Sequence, residues 1–369
     1  MESGDVNTNL AGSDSETSCT DVALESISKE TFRDWYQARE FRQNIREGKP
    51  YFNYTDSVPG ARRHSPSSLL QCHRKIVYRQ ENAPEEQRDA HGILWAGQQI
   101  EEKIVLPFLQ DVIATDNTYI RNSVWVDFTV ESELGDLNIK GVTDPVVVDE
   151  QSLPLVPTEI KSTSSLDYLD GPKPQHLAQL HAYQSGLSEK YDREITEGVL
   201  IYVSRESFEL EVFHTEFDAE FWEDTVLQWI TTHSEYRLDG QLPPAEPQQD
   251  WECKFCSYKD RCGKGNREYS DVGATGFLPR YADYPREKVI EYLESHDEAQ
   301  LTLTLADEYP DLAEKYDVET WDCPRCSATY TAGDAPFEGE IAQRPLCPNC
   351  VADDSIVELR PPVAIQGGQ

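Results

Sequence analysis

Two short runs carry residue types that could do chemistry together: Gly141-Val142-Thr143-Asp144, and Thr158-Glu159-Ile160-Lys161. In a strand, residues two apart point to one face, so Glu159 and Lys161 share a face, and an acid at the end of the preceding strand can meet them. Two carboxylates at one site repel each other, and a hard divalent cation such as Mg²⁺ or Mn²⁺, bound through oxygen, makes the arrangement favourable. Such a metal polarises a phosphodiester and helps generate hydroxide, while an adjacent ammonium orients the attacking water or stabilises developing phosphate charge. An isolated Asp with Glu-x-Lys is also what a surface hairpin with a cross-strand ion pair would show. Context decides: Gln179-Leu180-His181-Ala182-Tyr183 follows, and at helical spacing Gln179 and Tyr183 lie one turn apart on one face.

The cysteines form a second constellation. Of nine, eight fall into two groups built on C-x-x-C pairs, and Cys19 stands alone in a polar leader. Cys253-Lys254-Phe255-Cys256 and Cys262 make C-x2-C-x5-C, with Cys72 the remaining upstream thiol. Four thiolates can hold tetrahedral Zn²⁺ or an iron–sulfur cluster, and spacing does not choose between them. Cys323-Pro324-Arg325-Cys326 and Cys347-Pro348-Asn349-Cys350, separated by 20 residues, have the spacing of a zinc ribbon. A unit this small needs its metal to fold. Arg325 and Arg344 permit DNA contact, whereas the surrounding acidity favours protein docking or a purely structural role.

These residues need a scaffold. Ser28–Glu47 repeats at helical spacing, and Ser67 is a plausible N-cap for a helix through Tyr78 that contains Cys72. Gly92–Phe108 has an apolar helical pattern, after which the period changes to two: Ser123–Val130, Leu137–Gly141, Asp144–Asp149 and Leu155–Ile160 are expected as a β-meander. Pro174–Leu187 returns to helix, Gly198–Val203 and Phe208–Phe213 to strand, and Asp218–Arg237 to a long helix. Pro285–Tyr316 is an acidic helical spacer. Trp251, Phe255 and Tyr258 near the first cysteines could stack on bases, but packing around a metal site is the better explanation. The expected organisation is a disordered acidic leader (1–27), an α/β core with the four-cysteine staple (28–268), a linker and helical spacer (269–318), a ribbon (319–360) and a tail (361–369).

The chain has 369 residues, 68 acidic against 33 basic, and a formal charge of −35, with arginine more common than lysine. The excess is spread throughout, as in proteins adapted to a salt-rich cytoplasm, so net charge does not argue against a nucleic-acid partner. Affinity for phosphate would then depend on a local basic groove and on metal. No apolar run approaches the length of a membrane span, and the start lacks a secretory signal, so the expected location is the cytoplasm. No G-x-x-x-x-G-K-[ST] is present to drive unwinding.

Taken in order, Asp144, Glu159-Ile160-Lys161 and Gln179-x-x-x-Tyr183 resemble the motifs of the PD-(D/E)XK nuclease superfamily in its Cas4/RecB branch. The resemblance implies a restriction-endonuclease-like core, with a mixed central sheet flanked by helices. It makes Asp144 and Glu159 metal ligands, Lys161 the catalytic lysine, and Gln179 and Tyr183 residues that support the site or contact the strand. The branch's first motif is Gly-x-x-x-His or Gly-x-x-x-Glu, and Gly97-Gln98-Gln99-Ile100-Glu101 supplies the acidic form, making Glu101 a third ligand. It also implies a [4Fe–4S] cluster on Cys72, Cys253, Cys256 and Cys262. The activity so implied is cleavage of DNA, from single-stranded or end-bearing substrates, in repair, recombination or CRISPR-type processing, with a helicase or repair protein as a possible partner, in a haloarchaeal host. A structure-specific endonuclease and a degenerate, non-cleaving binding module are the rival readings.

Overall fold

The computed structural model describes residues 59–86, 91–167, 169–265, 271, 273–278, 281–331 and 346–360, with a few positions between 27 and 39. The leader, Cys19, most of the helix expected at 28–47, Arg344 and the tail lie outside the described residues. The chain divides into two units, Met1–Ser57 and Val58–Gln369, and every element below belongs to the second.

Strand β1 (Arg63–His64) leads through a 3₁₀ turn (Pro66–Ser68) into α1 (His73–Gln80). Cys72 is the N-cap of α1, one position outside the helix in which it was expected. Helix α2 starts at His91–Ile100 and continues through π turns at Glu101–Val105 and Leu109–Ile113. Pro107 lies between those turns and has no amide to donate to the preceding turn, a physical reason for the helix to widen there. There follow β2 (Thr118–Arg121), β3 (Trp125–Val130), β4 (Leu137–Val142), β5 (Val146–Asp149), β6 (Pro154–Thr163), α3 (Pro174–Tyr191), β7 (Glu197–Ser204) and β8 (Leu210–Glu216). Helix α4 runs from Ala219–Phe221 through a π turn to Gln228–Leu238.

The four strands expected as one meander divide between two sheets. One has the order β1-β4-β3 and the other β2-β5-β6-β7-β8. The break falls at Thr143-Asp144-Pro145. Pro145 has no amide for the ladder, but its carbonyl accepts from the Thr158 amide at 3.0 Å and the Thr158 hydroxyl at 2.7 Å. Thr143 ties the crossing to the entry of β3, exchanging bonds with the Val124 amide and carbonyl at 3.0 and 2.9 Å.

β6 is the middle strand of the larger sheet, antiparallel to β5 and parallel to β7. Helices cover both of its faces, so the run is apolar on both, apart from the residues of interest. On one face Ile160, Ile201 and Val203 pack with Ile100, Val105 and Leu109 of α2. On the other, Leu200 and Tyr202 pack with Leu180 and Tyr183 of α3. Two glycines allow close approach. A Cβ on Gly97 of α2 would lie 3.0 Å from Ser162 Oγ, and one on Gly186 of α3 would lie 2.8 Å from Val126 Cβ.

The helix expected at 285–316 is three pieces: α5 (Arg286–Ser295), α6 (Leu303–Glu308) and α7 (Pro310–Ala313). Tyr309 precedes a proline and leaves the helical region, which separates the last two. Their core, with Val289, Tyr292, Leu305 and Leu312, also takes in Phe277, Leu278, Tyr281 and Tyr284 from the stretch expected to be linker. Beyond it, β9 (Trp321–Asp322) pairs antiparallel with β10 (Thr329–Tyr330), and α8 is Pro348–Ala352.

Candidate active site and cysteine centres

Because β5 starts only at Val146, the edge of β6 beside Ile160 lacks a strand partner. Asp144 fills the gap: its Oδ2 accepts from the Ile160 amide at 2.7 Å, which fixes one carboxylate oxygen at the strand edge. Glu159 and Lys161, two residues apart on β6, share the α3 face and form an ion pair. Lys161 Nζ also donates to Gln179 Oε1 at 3.3 Å, and Gln179 Nε2 donates to the Tyr183 hydroxyl at 2.6 Å. Asp144, Glu159, Lys161, Gln179 and Tyr183 are thus brought together.

Glu159 is fully buried, and apart from the Lys161 ion pair neither of its oxygens has a hydrogen-bond partner. Burial, then the neighbouring Asp144, pushes its carboxyl up to about 8 against the pull of Lys161. Asp144 is raised as well, chiefly by burial. For Lys161, burial opposes the charge, but Glu159 and Asp144 outweigh it and raise the ammonium. An excess of buried carboxylate oxygen over hydrogen-bond donors is the environment that a divalent cation relieves, so these residues fit a Mg²⁺ or Mn²⁺ ion. Asp144 and Glu159 would hold it, and when bound it would supply Lewis-acid polarisation of a phosphoryl oxygen. Lys161 would keep its proton throughout and present it to the developing phosphate charge, with Gln179 and Tyr183 fixing its position.

Glu101 is placed differently. It opens the π turn of α2, next to Ile100, which packs on the opposite face of the sheet. It is near enough to contribute to raising Lys161. Among the described residues, however, the three carboxylates do not gather within 4.8 Å of one another. One neighbour went unnoticed at the sequence level: His176, one turn before Gln179, is bonded at 2.9 Å to the Tyr202 hydroxyl. Burial, then Lys161 and Lys173, holds it neutral. Its helical spacing from Gln179 was the available signal.

The two cysteine sets differ in geometry. Cys323, Cys326, Cys347 and Cys350 gather their sulfurs within 4.8 Å, with Sγ–Sγ separations of 3.6 Å for Cys323–Cys350 and for Cys326–Cys347. A tetrahedral ion with metal–sulfur bonds of about 2.3 Å needs an edge of roughly 3.8 Å, so this set can hold a metal ion. Cys72, Cys253, Cys256 and Cys262 line one cavity, but their sulfurs are not drawn together in this way. Protein hydrogen bonds already join the two chain segments there. Glu252 Oε2 accepts from the Cys72 amide at 2.9 Å, and Glu86 Oε1 accepts from the amides of Asp260 and Arg261 at 2.8 and 2.9 Å. Arg261 is buried, lies over the Tyr78 ring, and is paired with Asp271 at 2.6 Å.

A mixed sheet flanked by helices, with two carboxylates and a lysine at its middle strand, is the class of structure seen in restriction-endonuclease-like enzymes. The PD-(D/E)XK nuclease superfamily profile matches residues 49–263, and the chain belongs to that superfamily. Its members usually hydrolyse phosphodiester bonds in nucleic acids and typically use divalent metals. No curated protein matches the sequence. Among solved structures, the crystal structure of SSO0001 is similar at 18% identity over 63% of this chain and 97% of its own, with a TM-score of 0.42. Among the described residues no helix is long and apolar enough to cross a membrane.

Proposed function

We propose that this chain is a Mg²⁺- or Mn²⁺-dependent deoxyribonuclease of the Cas4/RecB branch that shortens DNA from single-stranded ends. The observation that carries the reading is the buried Asp144–Glu159–Lys161 group, in which two buried carboxylates share one ammonium. Asp144 and Glu159 hold the metal, Glu101 turns in from α2 on metal binding to complete its shell, and Lys161 stabilises the phosphoryl charge.

The cysteine geometry supports two different groups. Sulfurs 3.6 Å apart suit a single Zn²⁺ at the C-terminal set. Sulfurs that line one cavity without closing to that spacing suit a larger group, a [4Fe–4S] cluster, at Cys72, Cys253, Cys256 and Cys262. The cluster closes the domain, and the ribbon serves structure or docking of a helicase, repair or CRISPR partner.

The test compares linear and circular single-stranded DNA in high salt with Mn²⁺, using anaerobically purified protein. Shortening of the linear strand alone is the expected outcome. Cutting of the circle would favour the endonuclease reading, and no cleavage by metal-loaded protein would favour a binding module.

A further inference from the structure

A cleft of about 600 Å³ runs from Lys161 and Gln179 to the first cysteine segment, lined also by Lys75, His176, Trp251 and Glu252. Its charge is unlike that of the chain. The net charge is −35, yet Lys75 and Lys161 line this cleft and Lys173 stands at its rim over the Trp251 ring, 5.3 Å from the centroid. The one carboxylate in the lining, Glu252, is already engaged with the Cys72 and Gln249 amides at 2.9 and 3.0 Å. Trp251 is 41% exposed, a large indole left at the surface in a position that is otherwise well fixed. It sits in the 3₁₀ helix Asp250–Lys254, whose start is locked by a reciprocal Gln249–Glu252 capping box. A half-exposed indole in a lysine-lined cleft is the arrangement by which proteins hold an unpaired nucleic-acid strand, with bases stacked on aromatic faces and phosphates on lysines.

Resting on the nuclease reading above, we propose that this cleft is the subsite for a single strand entering the centre. One base stacks on Trp251 in place of the Lys173 ammonium, and Lys173 and Lys75 take the adjacent phosphates. Trp251 is a specificity residue for unpaired strand, and the cysteine staple, through Glu252, sets its position.

The experiment measures binding of labelled DNA and RNA strands of about 12 nucleotides to the full chain in a Glu159→Gln background, where cleavage is disabled. Trp251→Ala should weaken binding about five- to 150-fold, the range expected for loss of one stacked base. Trp251→Phe should stay within about three-fold of the parent, because a stacking face is kept. A strand carrying one abasic site, moved along its length, should lose affinity for the parent at one position and lose nothing further for Trp251→Ala. Lys75→Ala and Lys173→Ala should each reduce the salt slope by about 0.7. Iron and sulfide content and the circular dichroism of each variant check that the staple is retained. Equal binding by parent and Trp251→Ala, with cleavage by the wild type intact, would overturn the subsite and leave the nuclease standing. Trp251-dependent binding with no wild-type cleavage would leave the subsite and remove the nuclease. A parent that binds no single strand would remove the subsite outright.

Discussion

At the scale of residues, the site is a problem of charge. Burial and Asp144 together raise Glu159 to about 8, against an ordinary value of 4.5. The folded, metal-free chain therefore holds a proton that the unfolded chain releases between about pH 4.5 and 8, so its stability should fall as pH rises through that window. A divalent cation competes with that proton, and its binding should strengthen with pH. Thermal midpoints should accordingly show a larger gain from Mn²⁺ at about pH 8 than at about pH 6, and Glu159→Gln should flatten both trends. A gain independent of pH, or unchanged in the variant, would show that Glu159 does not meet the metal. Asp144, Glu159 and Lys161 were legible in the sequence because a strand's period of two fixes which side chains share a face. Trp251 stood out as an aromatic near the cysteines, but its Lys173 partner and the role of Glu252 did not, because they depend on Lys173 and the Cys72 amide, more than 70 residues away.

At the scale of elements, glycines set two close helix–strand contacts, α3 on β3 and α2 on β6. A Cβ at Gly186 meets the branched Val126 at 2.8 Å and Phe128 at 2.9 Å, none of which has room to withdraw in a buried core. Gly186→Ala should lower stability by about 1–2 kcal/mol despite the gain in helix propensity, read as a shift in urea midpoint at unchanged slope. At Gly97 the neighbour is a serine hydroxyl at 3.0 Å, which can turn aside, so Gly97→Ala should cost less. Equal effects at the two positions would show that the α3 contact is no tighter than the α2 contact. Most helices and strands could be read from periodicity. What could not be read was the split between β4 and β5. Alternation describes each strand separately, whereas the split is set by Pro145, which leaves the ladder, and Asp144, which caps the exposed edge. The two-residue β1 is too short to carry a period at all.

At the scale of the whole molecule, three hydrophobic clusters follow one another along the chain: the nuclease core, the spacer around Tyr292, and the ribbon around Trp321, Cys323 and Cys347. Leu303 of the spacer belongs to the ribbon's cluster, so the two are joined by apolar contact. Among the described residues the four C-terminal thiols rest on that small cluster and a few short β pairings, and they can hold a metal ion. Cys323→Ser with Cys347→Ser should release the ribbon to proteolysis while leaving cleavage within a few-fold of wild type, because none of these residues touches the site. Loss of cleavage in that variant, with the core still folded, would mean that the ribbon acts in the reaction.

The proposed roles of Lys161, Glu159 and Asp144 in phosphodiester cleavage meet their sharpest test in the single-turnover rate on end-labelled single-stranded DNA with Mn²⁺ for wild type and Lys161→Ala, with strand binding measured in parallel. The variant's rate should be lower by about 10²–10³-fold, the usual loss when one preorganised charge-stabilising group is removed, with binding changed by little more than the loss of one cation. Cleavage by Lys161→Ala at the wild-type rate would contradict those roles.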